Sequence, residues 1–265
     1  MADDELDPEA ELAAGAQAPP LGGLRRKGIY LLPNLFTTGV LFCGFFAIVQ
    51  SMNLRYEMAA IAIYVAMVLD GMDGRVARWT HTQSEFGAQY DSIADMVAFG
   101  AAPSLVAYEW ALRELGTAGW IAAFLYCAGT AIRLARFNVN IGVVDKRFFQ
   151  GLPSPSGAAV LAGLVWVMND FGFRPEESWW LVGVTWIVAV FAGVTMVSNV
   201  PFYSFKEVNW KRRVPLWVIL AAVIALSVVA TKPSLILFLL FFAYALSGYV
   251  MWASGRRLKS VLPEE

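Results

Sequence analysis

Eight apolar stretches, roughly 34–52, 57–79, 86–108, 118–138, 155–170, 178–198, 214–231 and 233–253, dominate this 265-residue chain. A hydrocarbon core takes about 20 helical residues to cross, and lipid tolerates only backbone that pairs its own polar groups. The stretches have about that length, the fifth being short, and a helical period. They predict an all-α, polytopic membrane helical bundle of about eight transmembrane helices. Charged residues make up 15% of the chain, against about 25% in soluble domains. The joining loops are tight, so residues 34–255 read as one membrane domain.

Lysine and arginine set the expected orientation. With the N-terminus in the cytoplasm and eight crossings, sixteen of the twenty basic residues fall on the cytoplasmic side and four on the other. That is the positive-inside pattern, so both termini are expected in the cytoplasm, in an inner, cytoplasmic membrane. Lipid is then the surrounding partner, and no nucleic acid is expected.

Six of the 21 acids lie in residues 1–12. The stretch 1–24 lacks a basic start and an apolar core, so it reads as a disordered acidic tail rather than a signal peptide. Arg25, Arg26 and Lys27 precede an apolar-aromatic run, and 25–33 reads as a cytoplasmic interfacial segment or a positive-inside anchor. Residues 256–265 form a short cytoplasmic tail. Cys43 and Cys127 sit inside spans and read as packing residues. His81, the one histidine, lies in a turn and reads as a surface residue. Trp179 and Trp180, at a span edge, suit an aromatic belt.

Against this apolar background stand Asp70, Asp73, Asp91 and Asp95. Carboxylates at membrane depth are costly and mark function. Four together would repel one another without a cation, and oxygen-only ligands favour Mg²⁺, Mn²⁺ or Ca²⁺. Asp70 and Asp73 share one helix face, as do Asp91 and Asp95. A reversal near Thr82 and Gln83 makes the two helices antiparallel. Asp70 then meets Asp95, and Asp73 meets Asp91, on the order of 10 Å inside the cytoplasmic end.

Gly71, Gly74, Ala77, Gly87 and Ala88 carry almost no side chain, which permits close helix packing or close approach of a ligand. Arg75 and Arg78 follow one turn nearer the cytoplasm, where a phosphate could be gripped.

Asp70-x-x-Asp73-Gly74-x-x-Ala77-Arg78, eight further residues, then Gly87-x-x-x-Asp91-x-x-x-Asp95 resembles the signature of the CDP-alcohol phosphotransferase family. The resemblance implies transfer of a substituted phosphate from a CDP-linked donor to an alcohol, with release of CMP. It implies one or two Mg²⁺ or Mn²⁺ ions on Asp70, Asp73 and Asp91, with Asp95 as general base and further ligand. It assigns Gly74, Ala77, Arg78 and Gly87, together with Asn34 and Thr37 near the cytidine, to the CDP and phosphate site. It also suggests a homodimer. The segments 32–37, 133–138 and 149–155 resemble the serine-accepting branch, with CDP-diacylglycerol as donor and L-serine as acceptor.

From the residues themselves, Arg133 and Arg136 at the cytoplasmic end of span four could hold the carboxylate of serine, a donor phosphate, or only the membrane anchor. Asn34 and Thr37 could equally cap a helix. Gly151, Pro153 and Pro155 force an irregular return to the membrane. Glycerol 3-phosphate, inositol phosphate and choline are the alternative acceptors, and the basic residues 211–213 keep a doubly charged one open. A cation transporter would place its carboxylates nearer the midplane.

Overall fold

Helix α1 (Gly22–Met52) opens the computed structural model, which describes residues 22–80, 84–139, 148–204 and 216–254. The acidic tail through residue 21, His81, the Thr82–Gln83 turn, the basic residues 211–213 and the tail 256–265 lie outside the described residues. The side chains of 22–33, Ala77 and Arg78 do so too.

A turn with Leu54 at φ 60° leads into α2 (Tyr56–Thr80). Ser84 then caps α3 (Glu85–Asp95), its Oγ accepting from the Gly87 N–H at 3.0 Å. A wide π-turn (Met96–Ala101) separates α3 from α4 (Ala102–Trp110). Beyond it come α5 (Thr117–Val139), α6 (Ser154–Asp170) and α7 (Trp179–Val197). The last two helices are α8 (Leu216–Thr231) and α9 (Pro233–Ala253). Stretches of α1, α5, α7 and α9 are each long and apolar enough to cross a membrane, and the chain is an integral membrane protein by that composition.

Small residues draw the helices together. Ala59, Ala60, Ala66, Ala94, Ala98 and Ala102 are all fully buried. This is how membrane helices approach closely without a hydrophobic drive between them. On α5, a Cβ at Gly129 would lie 2.5 Å from the Gly193 carbonyl oxygen of α7. Polar groups tie the same seams: Tyr64 Oη of α2 donates to the Ala159 carbonyl of α6 at 2.8 Å. Outward, Phe42, Phe45, Val65, Phe124 and Leu239 are exposed, as lipid-facing side chains are.

The structure corrects the sequence reading in one place and adds two features to it. The third apolar stretch is not one helix, because the π-turn interrupts it immediately after Asp95. The two aspartate helices do not pack side by side. Helix α1 lies along α2 and also against α3, while α2 and α3 approach little among the described residues. Four carboxylates between them favour a gap over a tight seam. Finally, an antiparallel ribbon joins β1 (Phe148–Gln150) to β2 (Pro201–Tyr203). Gly151, at φ 77°, makes the turn from β1 toward α6, and a Cβ there would collide with the Met196 carbonyl oxygen.

Candidate active site

Helix α2 contributes Asp70 and Asp73, and α3 contributes Asp91 and Asp95. Carboxylate oxygens of Asp70, Asp91 and Asp95 all lie within 4.8 Å of one another. Asp73 stands outside that trio and is 5% exposed. Its Oδ2 accepts from Thr37 Oγ1 of α1 at 3.2 Å, and it lies within hydrogen-bonding reach of Asp91. Asp73 thus stands beside Asp91, and Asp70 lies near both Asp91 and Asp95.

A divalent cation fits this arrangement. Three half-buried carboxylates at such spacing would repel one another in a medium of low dielectric. Asp95 Oδ1 is buried and has no hydrogen-bond partner, and a buried polar atom of that kind is expected to be satisfied by something. An all-carboxylate set is the donor chemistry of Mg²⁺ and Mn²⁺.

The wall beside the carboxylates comes from α1. Because α1 starts at Gly22, Asn34 and Thr37 lie well inside a helix and cannot be its cap. Both instead turn toward the aspartate helices. A Cβ at Gly87 would meet Ser84 Oγ at 3.1 Å and Asn34 Oδ1 at 3.5 Å, so Asn34 reaches the first turn of α3. One residue beyond Thr37, Thr38 Oγ1 donates to the Asn34 carbonyl at 2.7 Å and shares a 2.9 Å hydrogen bond with Tyr90 Oη. On α2, Gly71 faces open space, and Gly74, one turn from Asp70, is half-buried. The side chains of Ala77 and Arg78 fall outside the described set.

The two arginines of α5 have separate surroundings. Arg133 is 9% exposed, and its Nη1 donates to Ser154 Oγ at 2.8 Å. Its Nε is buried without a hydrogen-bond partner, and Asp95 and Asp70 are among its charged neighbours. Arg136 is held by β1 and by the end of α7: Nη2 donates to Gln150 Oε1 at 2.7 Å and to Asn199 Oδ1 at 2.5 Å, and Nη1 to the Val197 carbonyl at 3.3 Å.

Some neighbours of these candidate residues escape sequence reasoning. Ser154, Gln150, Asn199 and Ser92 are common polar residues whose roles depend on a partner distant along the chain. Asn138 Nδ2 donates to Ser92 Oγ at 2.9 Å, fastening the end of α5 beside Asp91. Asn138 carried a signal only through the segment 133–138, and Gln150 and Ser154 only through 149–155, while Ser92 and Asn199 carried none.

Comparison with known proteins agrees with this chemistry. The sequence profile described as CDP-alcohol phosphatidyltransferase matches residues 30–197. The CDP-diacylglycerol–serine O-phosphatidyltransferase of Helicobacter pylori is 37% identical over 84% of this chain and 92% of its own length. The protein of that name from Mycobacterium tuberculosis is 30% identical over 84% of this chain and 78% of its own. Among solved structures, the M. tuberculosis phosphatidylinositol phosphate synthase with CDP-DAG bound is 25% identical. That likeness has a TM-score of 0.45 and covers 66% of this chain and 86% of the other. The profile match over more than half the chain, and the near full-length likeness to the H. pylori enzyme, mean that this chain belongs to the CDP-alcohol phosphatidyltransferase family.

Proposed function

We propose that this chain transfers the phosphatidyl group of CDP-diacylglycerol to L-serine, forming phosphatidylserine and releasing CMP. One relation carries the choice of acceptor. Asp95 Oδ1 and Arg133 Nε are buried neighbours of opposite charge, and each lacks a hydrogen-bond partner. Serine supplies a hydroxyl for the carboxylate and a carboxylate for the guanidinium. A fork-shaped donor recognises such an anion well. The names borne by the H. pylori and M. tuberculosis relatives support the same acceptor.

In the proposed reaction the serine hydroxyl attacks the phosphorus that bears diacylglycerol. The pyrophosphate P–O bond breaks, CMP leaves, and the hydroxyl proton passes to Asp95. A carboxylate within hydrogen-bond reach is suited to take it. Asp70, Asp73, Asp91 and Asp95 are the proposed ligands of one or two Mg²⁺ or Mn²⁺ ions. A bound ion of this kind neutralises the pyrophosphate and stabilises the developing charge. Thr37 holds Asp73 in place. Asn34, Thr37, Gly74, Ala77, Arg78 and Gly87 are proposed to line the CDP and phosphate site, and Arg133 with Arg136 the serine side.

Eight membrane crossings are proposed, with both termini and the active site facing the cytoplasm, on the asymmetry of lysine and arginine. A homodimer is the proposed assembly. The deciding experiment is an acceptor screen of purified protein with CDP-diacylglycerol and Mn²⁺, reading CMP release. Release with L-serine alone is expected, and release with glycerol 3-phosphate but not serine would overturn the acceptor.

A further inference from the structure

Asp95 is the last residue of α3, and the widened turn begins at the residue after it. The turn has an evident cause two residues beyond its own end. In a continuous α-helix the Phe99 carbonyl would accept from the backbone nitrogen of residue 103, which is Pro103 and has no N–H. The proline ring would also press on that same carbonyl. The helix widens instead: the Ala102 N–H reaches back to the Val97 carbonyl, an i→i−5 bond. The freed Phe99 carbonyl accepts from Tyr126 Oη of α5 at 2.9 Å.

The donor is itself firmly placed. Tyr126 is fully buried. Its backbone lies where a Cβ on Gly193 of α7 would come within 2.8 Å of its Cα. Across the turn, α1 presents Gly44, where only glycine fits, since a Cβ there would lie 2.6 Å from the Ala98 Cα. Turns of this kind occur often at functional sites.

We infer that Pro103 and Tyr126 are positioning residues that hold the π-turn open and thereby set the angle at which Asp95 enters the carboxylate cluster. Asp95 Oδ1 has no hydrogen bond of its own, so its aim follows from the backbone that carries it. One extra residue in a helical turn rotates the helix on its N-terminal side by about 100° relative to the helix on its C-terminal side. Helix α4 is buried along Ala102, Pro103, Val106, Ala107 and Trp110 and is fixed in the bundle. Closing the turn must therefore rotate α3 and swing Asp95 away from Asp70.

This inference rests on the proposed phosphatidyl transfer for its kinetic readout, and a second readout is independent of it. Pro103→Ala restores the missing N–H and lets the turn close. Tyr126→Phe removes the donor and keeps the ring. Each is expected to lower kcat for CMP release about tenfold or more, as misplacement of a reacting group does. KM for CDP-diacylglycerol should stay within about twofold, and the melting temperature of Pro103→Ala should not fall, because alanine restores the backbone donor and removes the clash of a proline within a helix. A merely structural role would lower stability and leave this split absent. The independent readout is the rate at which a methanethiosulfonate reagent modifies Asp95→Cys, with Cys43 and Cys127 changed to alanine. Adding Pro103→Ala should alter that rate about fivefold or more as the side chain turns. An unchanged labelling rate, or wild-type kcat in Pro103→Ala, overturns the inference. If the wild-type chain releases no CMP with any acceptor, the functional proposal fails and the labelling rate alone decides this one.

Discussion

Thr37 Oγ1 donates to Asp73 Oδ2 at 3.2 Å, joining the first helix to the second aspartate of the signature across 36 residues of chain. The bond is buried, and Asp73 in turn stands beside Asp91. Thr37→Val keeps the shape and removes the donor. A hydrogen bond to a charged group is worth on the order of 1.5–3 kcal/mol. About a tenfold rise in the Mn²⁺ concentration needed for half-maximal CMP release is expected. A metal titration identical to wild type would remove Thr37 from the site.

Asp70→Asn, Asp73→Asn and Asp91→Asn should each abolish turnover, because a neutral amide is a poor ligand for a hard cation. Wild-type protein should lose activity in excess chelator and recover it when Mg²⁺ or Mn²⁺ is returned. Manganese binding followed by electron paramagnetic resonance checks the cause directly. Full activity in chelator would sink the metal reading for all four carboxylates.

Asp95→Asn separates proton acceptance from metal holding. The amide preserves size and loses basicity, so CDP-diacylglycerol should still bind in the presence of metal while kcat falls about 10²–10⁴-fold. Donor binding measured by calorimetry or filter retention makes the distinction. If binding collapses together with turnover, Asp95 acts chiefly as a ligand.

Much of this site is legible in the chain because its spacing is short-range. Carboxylates three and four residues apart must share a helix face, and a nearby reversal must bring the two pairs to equal depth. The membrane character is equally local, since length and apolarity decide it. The features hidden from the sequence depend on partners far along the chain. Nothing near Arg133 announces Ser154, and nothing near Arg136 announces Asn199, because these partners stand 21 and 63 residues away along the chain and only the fold brings them together. Pro103 is the instructive case. Its position inside an apolar stretch is visible and argues for a break. The form of that break depends on Tyr126 reaching the Phe99 carbonyl from another helix. The gap between α2 and α3 is hidden likewise, because periodicity locates a face but not the distance to the face opposite.

The arginines of α5 give the last prediction, and their contacts divide the two. Arg136 already spends its donors on Gln150, Asn199 and the Val197 carbonyl. Arg133 keeps Nε unpartnered and has Asp95 as a neighbour. Lysine carries the charge without the two-pronged geometry. Arg133→Lys should therefore raise KM for serine about tenfold, equivalent to about 1.4 kcal/mol, with KM for CDP-diacylglycerol nearly unchanged. Arg136→Lys should loosen the ribbon instead, lowering the melting temperature and kcat with no selective effect on serine. Steady-state CMP release with each substrate varied in turn, beside thermal unfolding of both variants, reads the difference. If Arg133→Lys weakens the donor and spares serine, that guanidinium belongs to a phosphate. If Arg136→Lys carries the selective rise in KM, the acceptor carboxylate lies at the ribbon and the assignment of the two arginines is reversed.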